Sequence, residues 1–120
     1  MKDTLIISLL ILFLIVAISA NCIYMRRNSD YIYSVALSVS LDAESNGAIS
    51  ELEEFWNFHK DFIALSISFQ DMDRIGELII SLREAYDSSN TNEFERVKAL
   101  LANSSGLLIR YERVSLENIL

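Results

Sequence analysis

From Leu5 to Tyr24 (LIISLLILFLIVAISANCIY) apolar residues follow one another without a single charged side chain. Twenty residues at about 1.5 Å rise give roughly 30 Å of helix, the hydrocarbon thickness of a bilayer. The strongly polar positions inside it are Ser8, Ser19 and Asn21, with Lys2 and Asp3 before it and Arg26 and Arg27 after it. The stretch predicts a transmembrane helix. Helical spacing continues beyond the arginines through Tyr31, Val35, Ser38 and Leu41, flanked by Ile32 and Val39, so the helix is expected to run on as a stalk to about Leu41.

Asp42 to Gly47 (DAESNG) collects turn and cap formers and marks a break. The next helix is expected over 47–87, started by Asn46 or by Ser50 with Glu53 as a capping box. Its buried seam reads Leu52, Phe55, His59, Phe62, Ser66 and Phe69, then Met72, Ile75, Ile79, Leu82 and Tyr86 after a one-residue shift near Gln70. That is the alternating three- and four-residue rhythm of helices packed lengthwise. Gly76 lies within it, where glycine costs about 1 kcal/mol against alanine and permits close approach of a neighbour. Asp87 to Asn92 (DSSNTN) is a second break. A third helix is expected over 91–117, capped by Asn90 or Asn92, with Phe94, Val97, Leu101, Ser104, Leu108 and Tyr111 inward and Leu100 and Leu107 beside them. Ser104-Ser105-Gly106 is a place for a bend, Arg110 and Arg113 suit the C-terminal end of the dipole, and Asn118 is the expected stop. The pattern therefore defines an all-α fold: an N-terminal transmembrane helix continuing into a stalk, then an antiparallel helical hairpin or three-helix bundle. Residues 1–27 form the anchor with its flanks and 28–120 a helical domain.

Charge narrows the partners. The chain carries a formal −7, and from Asn28 onward seven Lys or Arg face sixteen Asp or Glu, a balance of −9. Such an acidic domain argues against nucleic acid and against lying flat on anionic lipid. The single cysteine, Cys22, precludes an internal disulfide and a cysteine metal set. As a juxtamembrane thiol it reads either as a buried cysteine or as an acylation site. No proline is present, so nothing forces a kink.

The leading stretch has one rival reading, a cleaved signal peptide, with Ala17-Ile18-Ser19 as an A-x-S site. The apolar run continues past that site to spanning length, which favours an uncleaved anchor. Asn21 before Cys22 excludes a lipoprotein site, where a small residue is needed. Lys2 and the amino terminus nearly balance Arg26 and Arg27 in the positive-inside count. A span with almost no preceding tail acts as a signal-anchor, so the expectation is an extracytoplasmic domain on a single-pass cell-membrane anchor.

Chemistry is sparse. His59, the single histidine, sits on the seam beside Phe55 and Phe62, and no spacing brings Glu112 or Asp73 opposite it as a catalytic partner. It reads as a packed, hydrogen-bonded core histidine. Asp71 and Asp73 point to different sides of a helix, and with Glu77 they form a solvated acidic face, since calcium takes six to eight oxygens from a looped backbone. No G-x-S-x-G, S-x-x-K or glycine-rich phosphate loop occurs. Trp56 reads as core. No catalytic, cofactor or metal residue is assigned, and no enzymatic activity is expected.

Trp56 followed by Lys60 and Phe62, the run Asp71-Met72-Asp73-Arg74-Ile75, and the closing Ser115-Leu116-Glu117-Asn118-Ile119-Leu120 carry a family likeness. On these motifs the chain resembles domain-of-unknown-function family 4363, short single-span proteins of clostridia and related bacteria. Phe69 stands where that family often has a histidine before the acidic run. The resemblance implies architecture and membrane localisation and adds no chemistry.

The reading that follows is a membrane-anchored, non-enzymatic interaction or accessory module at the bacterial cell envelope. It contacts the bilayer through Leu5–Tyr24 and engages a protein partner or a second copy through apolar helix faces, with Leu100, Leu107, Ile67 and Ile80 off the main stripes. A ligand-sensing helical domain, or a secreted protein after cleavage, are the alternatives.

Overall fold

The computed structural model describes residues 1–109. Four α-helices follow in order: α1 (Lys2–Ser38), α2 (Ser45–Ile63), α3 (Phe69–Asp87) and α4 (Thr91–Ser105). Among the described residues there is no strand. The expectations for Arg110, Tyr111, Glu112, Arg113, Asn118 and the run 115–120 lie outside these residues.

The expected span and stalk are one helix of 37 residues, about 55 Å long. Every residue from 1 to 21 is exposed. Beyond them the same helix turns inward, burying Met25, Ile32, Val35, Ala36 and, just past its end, Val39. α1 packs on α2 and α4, and α3 packs on the same two, which closes an up-down-up-down four-helix bundle. With the free half of α1 the molecule extends 67 × 24 × 20 Å. Ile49, Leu52, Trp56 and Ile63 of α2, Ile75, Ile79 and Leu82 of α3, and Phe94, Val97 and Leu101 of α4 fill the centre. Each such side chain contributes about 1.5–3 kcal/mol by leaving water.

The helical bundle is as expected, but the helix over 47–87 is two helices. It ends at Ile63, turns through residues 64–68 and restarts at Phe69. Ser68 caps the restart, its hydroxyl accepting the Asp71 N–H at 3.2 Å. The fold-back rotates the seam. Leu52 is buried as expected, whereas Phe55, His59 and Ser66 are half-buried and Phe62 and Phe69 are exposed. Ile49, Leu52, Trp56, Ile63 and Ile67 form the buried stripe instead. Ile67, placed off the stripe from the sequence, is core, while Ile80 stays exposed. On α3, Ile75, Ile79 and Leu82 are buried as read.

The helix ends have separate causes. At the first junction Asp42 accepts the Ser45 N–H at 3.0 Å and the Ser40 hydroxyl proton at 2.7 Å. Those bonds, the one from Ser40 foremost, hold its carboxyl below the usual carboxylate range. α2 therefore begins at Ser45, ahead of the expected caps, and those cap residues serve another purpose. Arg83 of α3 donates to Asn46 Oδ1 at 2.7 Å, to Ser50 Oγ at 2.8 Å and to Glu53 Oε1 at 2.8 and 2.9 Å. The residues read as a capping box instead bind the neighbouring helix. α3 closes by Asn90 N–H to Ala85 O and Ser89 N–H to Tyr86 O, with Ser89 left-handed at φ 55°. Asn90, one of the two expected caps, then accepts the Glu93 N–H at 3.2 Å. α4, expected to reach 117 without a break, stops at Ser105, and after a turn at Gly106 residues 107–109 are again helical. That turn falls at the expected bend. Ser29 of α1 donates to the Ser105 carbonyl at 2.8 Å, so α4 is hydrogen-bonded to α1 as well as packed on it.

At Gly76 the Trp56 indole of α2 packs directly on the α3 backbone, since a Cβ there would lie 3.0 Å from Trp56 Nε1. Gly76→Val is expected to displace the indole, to lower stability by about 1–3 kcal/mol and to red-shift the emission of Trp56, the chain's one tryptophan. A chemical denaturation followed by that fluorescence checks both. Asp42→Ala is expected to lower the thermal midpoint at pH 7. Because the folded carboxyl titrates below its ordinary value, the wild-type advantage is present above about pH 4 and fades as the pH falls below it. Melting curves of both proteins between pH 7 and pH 2.5 read the loss.

Candidate functional site

Chemically distinctive side chains gather where the exposed half of α1 meets the bundle. α2 runs antiparallel to α1, and aromatic pairs set the register between them. The Tyr31 and Phe55 rings lie 4.3 Å apart, and one turn further down Phe55 and His59 are at 4.4 Å. Phe58 meets His59 edge-on at 4.9 Å, and Tyr24 tilts against it at 5.5 Å. Edge and tilted contacts of this kind suit the ring quadrupoles. Burial pushes the Tyr31 phenol above its ordinary range, and Glu51 adds to that.

His59 is half-buried, and its Nδ1 is 2.6 Å from the Tyr24 hydroxyl in a hydrogen bond whose direction follows the imidazole tautomer. His59 is hydrogen-bonded as expected, but it stands half-buried at the rim and not in the core where the sequence reading put it. Below it Ser66, in the α2–α3 turn, donates to Asn21 Oδ1 at 3.2 Å. Ala20, Asn21, Tyr24, Phe58, His59, Phe62 and Leu65 line an open groove of about 560 Å³. Its walls are apolar except for the Asn21 amide, the Tyr24 hydroxyl and the imidazole, and no carboxylate lines it. The groove can hold apolar matter beside a small hydrogen-bonding edge. Cys22, on the same stretch of α1, is half-buried.

The other residues weighed from the sequence do not join this site. Asp73 and Glu77 are exposed on α3 and Asp71 is half-buried in its first turn. Among the described residues no group of three or more His, Cys, Asp or Glu converges as metal ligands do. Trp56 is core, as read. The sequence reading missed the groove because it placed Phe62 in the core and took 64–68 as helix. The signal that locates the turn is Ser68-Phe69-Gln70-Asp71, an S-x-x-D cap sequence.

Compared with family models, with curated proteins and with solved structures, the chain matches none. Among the described residues the fold is an all-α bundle with one helix long and apolar enough to cross a membrane.

Tyr24→Phe removes the hydroxyl bonded to His59 while keeping the ring. It is expected to cost about 0.5–1.5 kcal/mol, read as a lower midpoint in a thermal melt, with helix content unchanged by circular dichroism.

Proposed function

We propose that this protein is a single-pass, membrane-anchored, non-enzymatic interaction or accessory module of the bacterial cell envelope, with its bundle on the extracytoplasmic side. One observation carries the reading: α1 is continuous from an exposed apolar half into the core of the bundle. Apolar side chains such as Leu9, Leu12, Phe13 and Ile15, each more than half exposed, have no protein cover among the described residues. Left in water they are strongly unfavourable, and a bilayer removes that cost. The alternative of a cleaved signal peptide finds less support, because the helix runs unbroken through Ala17-Ile18-Ser19 to Tyr24. The acidic surface suits a domain held off anionic lipid, and exposed Tyr33, Leu37 and Ile80 offer apolar points for a protein partner. The motifs shared with family 4363 favour the same localisation.

A tag placed after Leu120 is expected to be digested when protease is added to intact protoplasts, leaving a membrane-retained fragment whose mass includes Met1. A protected tag would place the bundle in the cytoplasm. A fragment lacking the first nineteen or so residues would establish cleavage.

A further inference from the structure

We infer that the α2–α3 tip, residues 58–69, is a second membrane-contact site that dips into the leaflet crossed by α1. This rests on the reading of α1 as a membrane span. Phe58, Phe62, Leu65 and Phe69 are 71, 60, 85 and 71 % exposed. From Tyr24 onward the described residues contain eight exposed large apolar side chains, and these four lie within twelve residues of one another. A cluster of that kind at one end of a bundle calls for an apolar environment.

Position selects the lipid. The tip is bonded to α1 at Asn21 through Ser66, and Asn21 precedes Arg26 by five residues. Along α1 that is about 7 Å towards the hydrocarbon from the arginine level. A tip at this height cannot stay in water while Leu5–Tyr24 crosses the bilayer. Interfacial segments that bury an apolar face to about 5–10 Å occupy the same depth. The adjoining groove, walled by Ala20 of α1, Phe62 of α2 and Leu65 of the α2–α3 turn, makes the apolar surface of span and tip continuous.

Charge and backbone agree. Residues 62–70 carry no charge in a domain with a balance of −9, and Asp61 is the single acid between Phe58 and Gln70. Lys60 beside it has the long stem that lets an ammonium reach head groups from an apolar site. Water-poor surroundings demand that the turn satisfy its own amides. Ala64 donates to Lys60 O at 2.9 Å and Leu65 to Phe62 O at 3.2 Å. Ser66 and Ile67 both donate to Ile63 O, at 2.9 and 3.2 Å. Four successive N–H groups are thus bonded within the chain.

The test uses the full chain with Cys22→Ser, reconstituted in phosphatidylcholine vesicles and labelled at one introduced cysteine with an environment-sensitive fluorophore. Leu65→Cys and Phe69→Cys report the tip, Leu10→Cys the span, and Gly47→Cys, exposed at the far end of the bundle, the water reference. Lipids spin-labelled at the fifth or the twelfth acyl carbon serve as quenchers. Both tip probes are expected to emit blue of the Gly47 probe and to lose more intensity to the shallow quencher than to the deep one. The Leu10 probe should lose more to the deep quencher. Water-like tip probes beside a quenched Leu10 probe would overturn the tip contact and leave the span standing. Blue-shifted tip probes that neither quencher reaches would mean cover by protein, a second copy included, and would also overturn it. An unquenched Leu10 probe would sink the span reading and the tip contact with it.

Discussion

Everything in this fold depends on one continuous helix whose two halves differ in character. The first half of α1 is apolar around its whole circumference, so it has no face to offer water, whereas the second half keeps a single inward stripe through Met25, Ile32, Val35 and Ala36. The change falls near Arg26 and Arg27, and no proline or turn interrupts the backbone there. The other three helices organise themselves against the inward stripe. α2 descends along it, α3 returns, and α4 descends again to place Ser105 beside Ser29.

Polar interactions then select one arrangement among those that hydrophobic burial would permit. They are concentrated at the two ends of the bundle. At the far end Asp42 pins the α1–α2 turn, the Tyr86 hydroxyl donates to the Asp42 carbonyl at 2.6 Å, and Arg83 ties α3 to α2. Arg83 and Glu53 are partly solvated, with side chains 19 and 38 % exposed, so water screens part of their attraction and the fixed geometry matters more than the Coulomb energy. At the near end the hydrogen bonds Tyr24–His59 and Ser66–Asn21 do the same work.

Legibility in the sequence follows the same division. The long first helix and the breaks at 42–44 and 88–90 were readable because an unbroken apolar run and clusters of Asp, Asn and Ser carry strong local signals. The stripes of α3 and α4 were readable because each is half-buried on one face. The turn over 64–68 was hidden: Ala-Leu-Ser-Ile-Ser contains no glycine, proline, asparagine or aspartate, and a seam can be drawn straight through it. Phe62 and Phe69 were misplaced for a related reason. An aromatic residue in a sequence declares an aversion to water and does not declare what replaces the water. His59 was read as a hydrogen-bonded core residue and is hydrogen-bonded but only half-buried. Its partner Tyr24 belongs to the stretch read as the end of the span, and only the antiparallel descent of α2 brings the two together.

The unbroken passage of α1 from its bare half into the core has a mechanical consequence. A hinge between the two halves would let the bundle tumble independently of the apolar segment, whereas a continuous helix makes them one lever. From Tyr24 to Ser38 is about 21 Å of helix axis, so a tilt of about 10° in the apolar half carries the Asp42 end sideways by roughly 4 Å. Orientation of the far end is thereby tied to the angle at which α1 stands, and any change in that angle is amplified with distance from it.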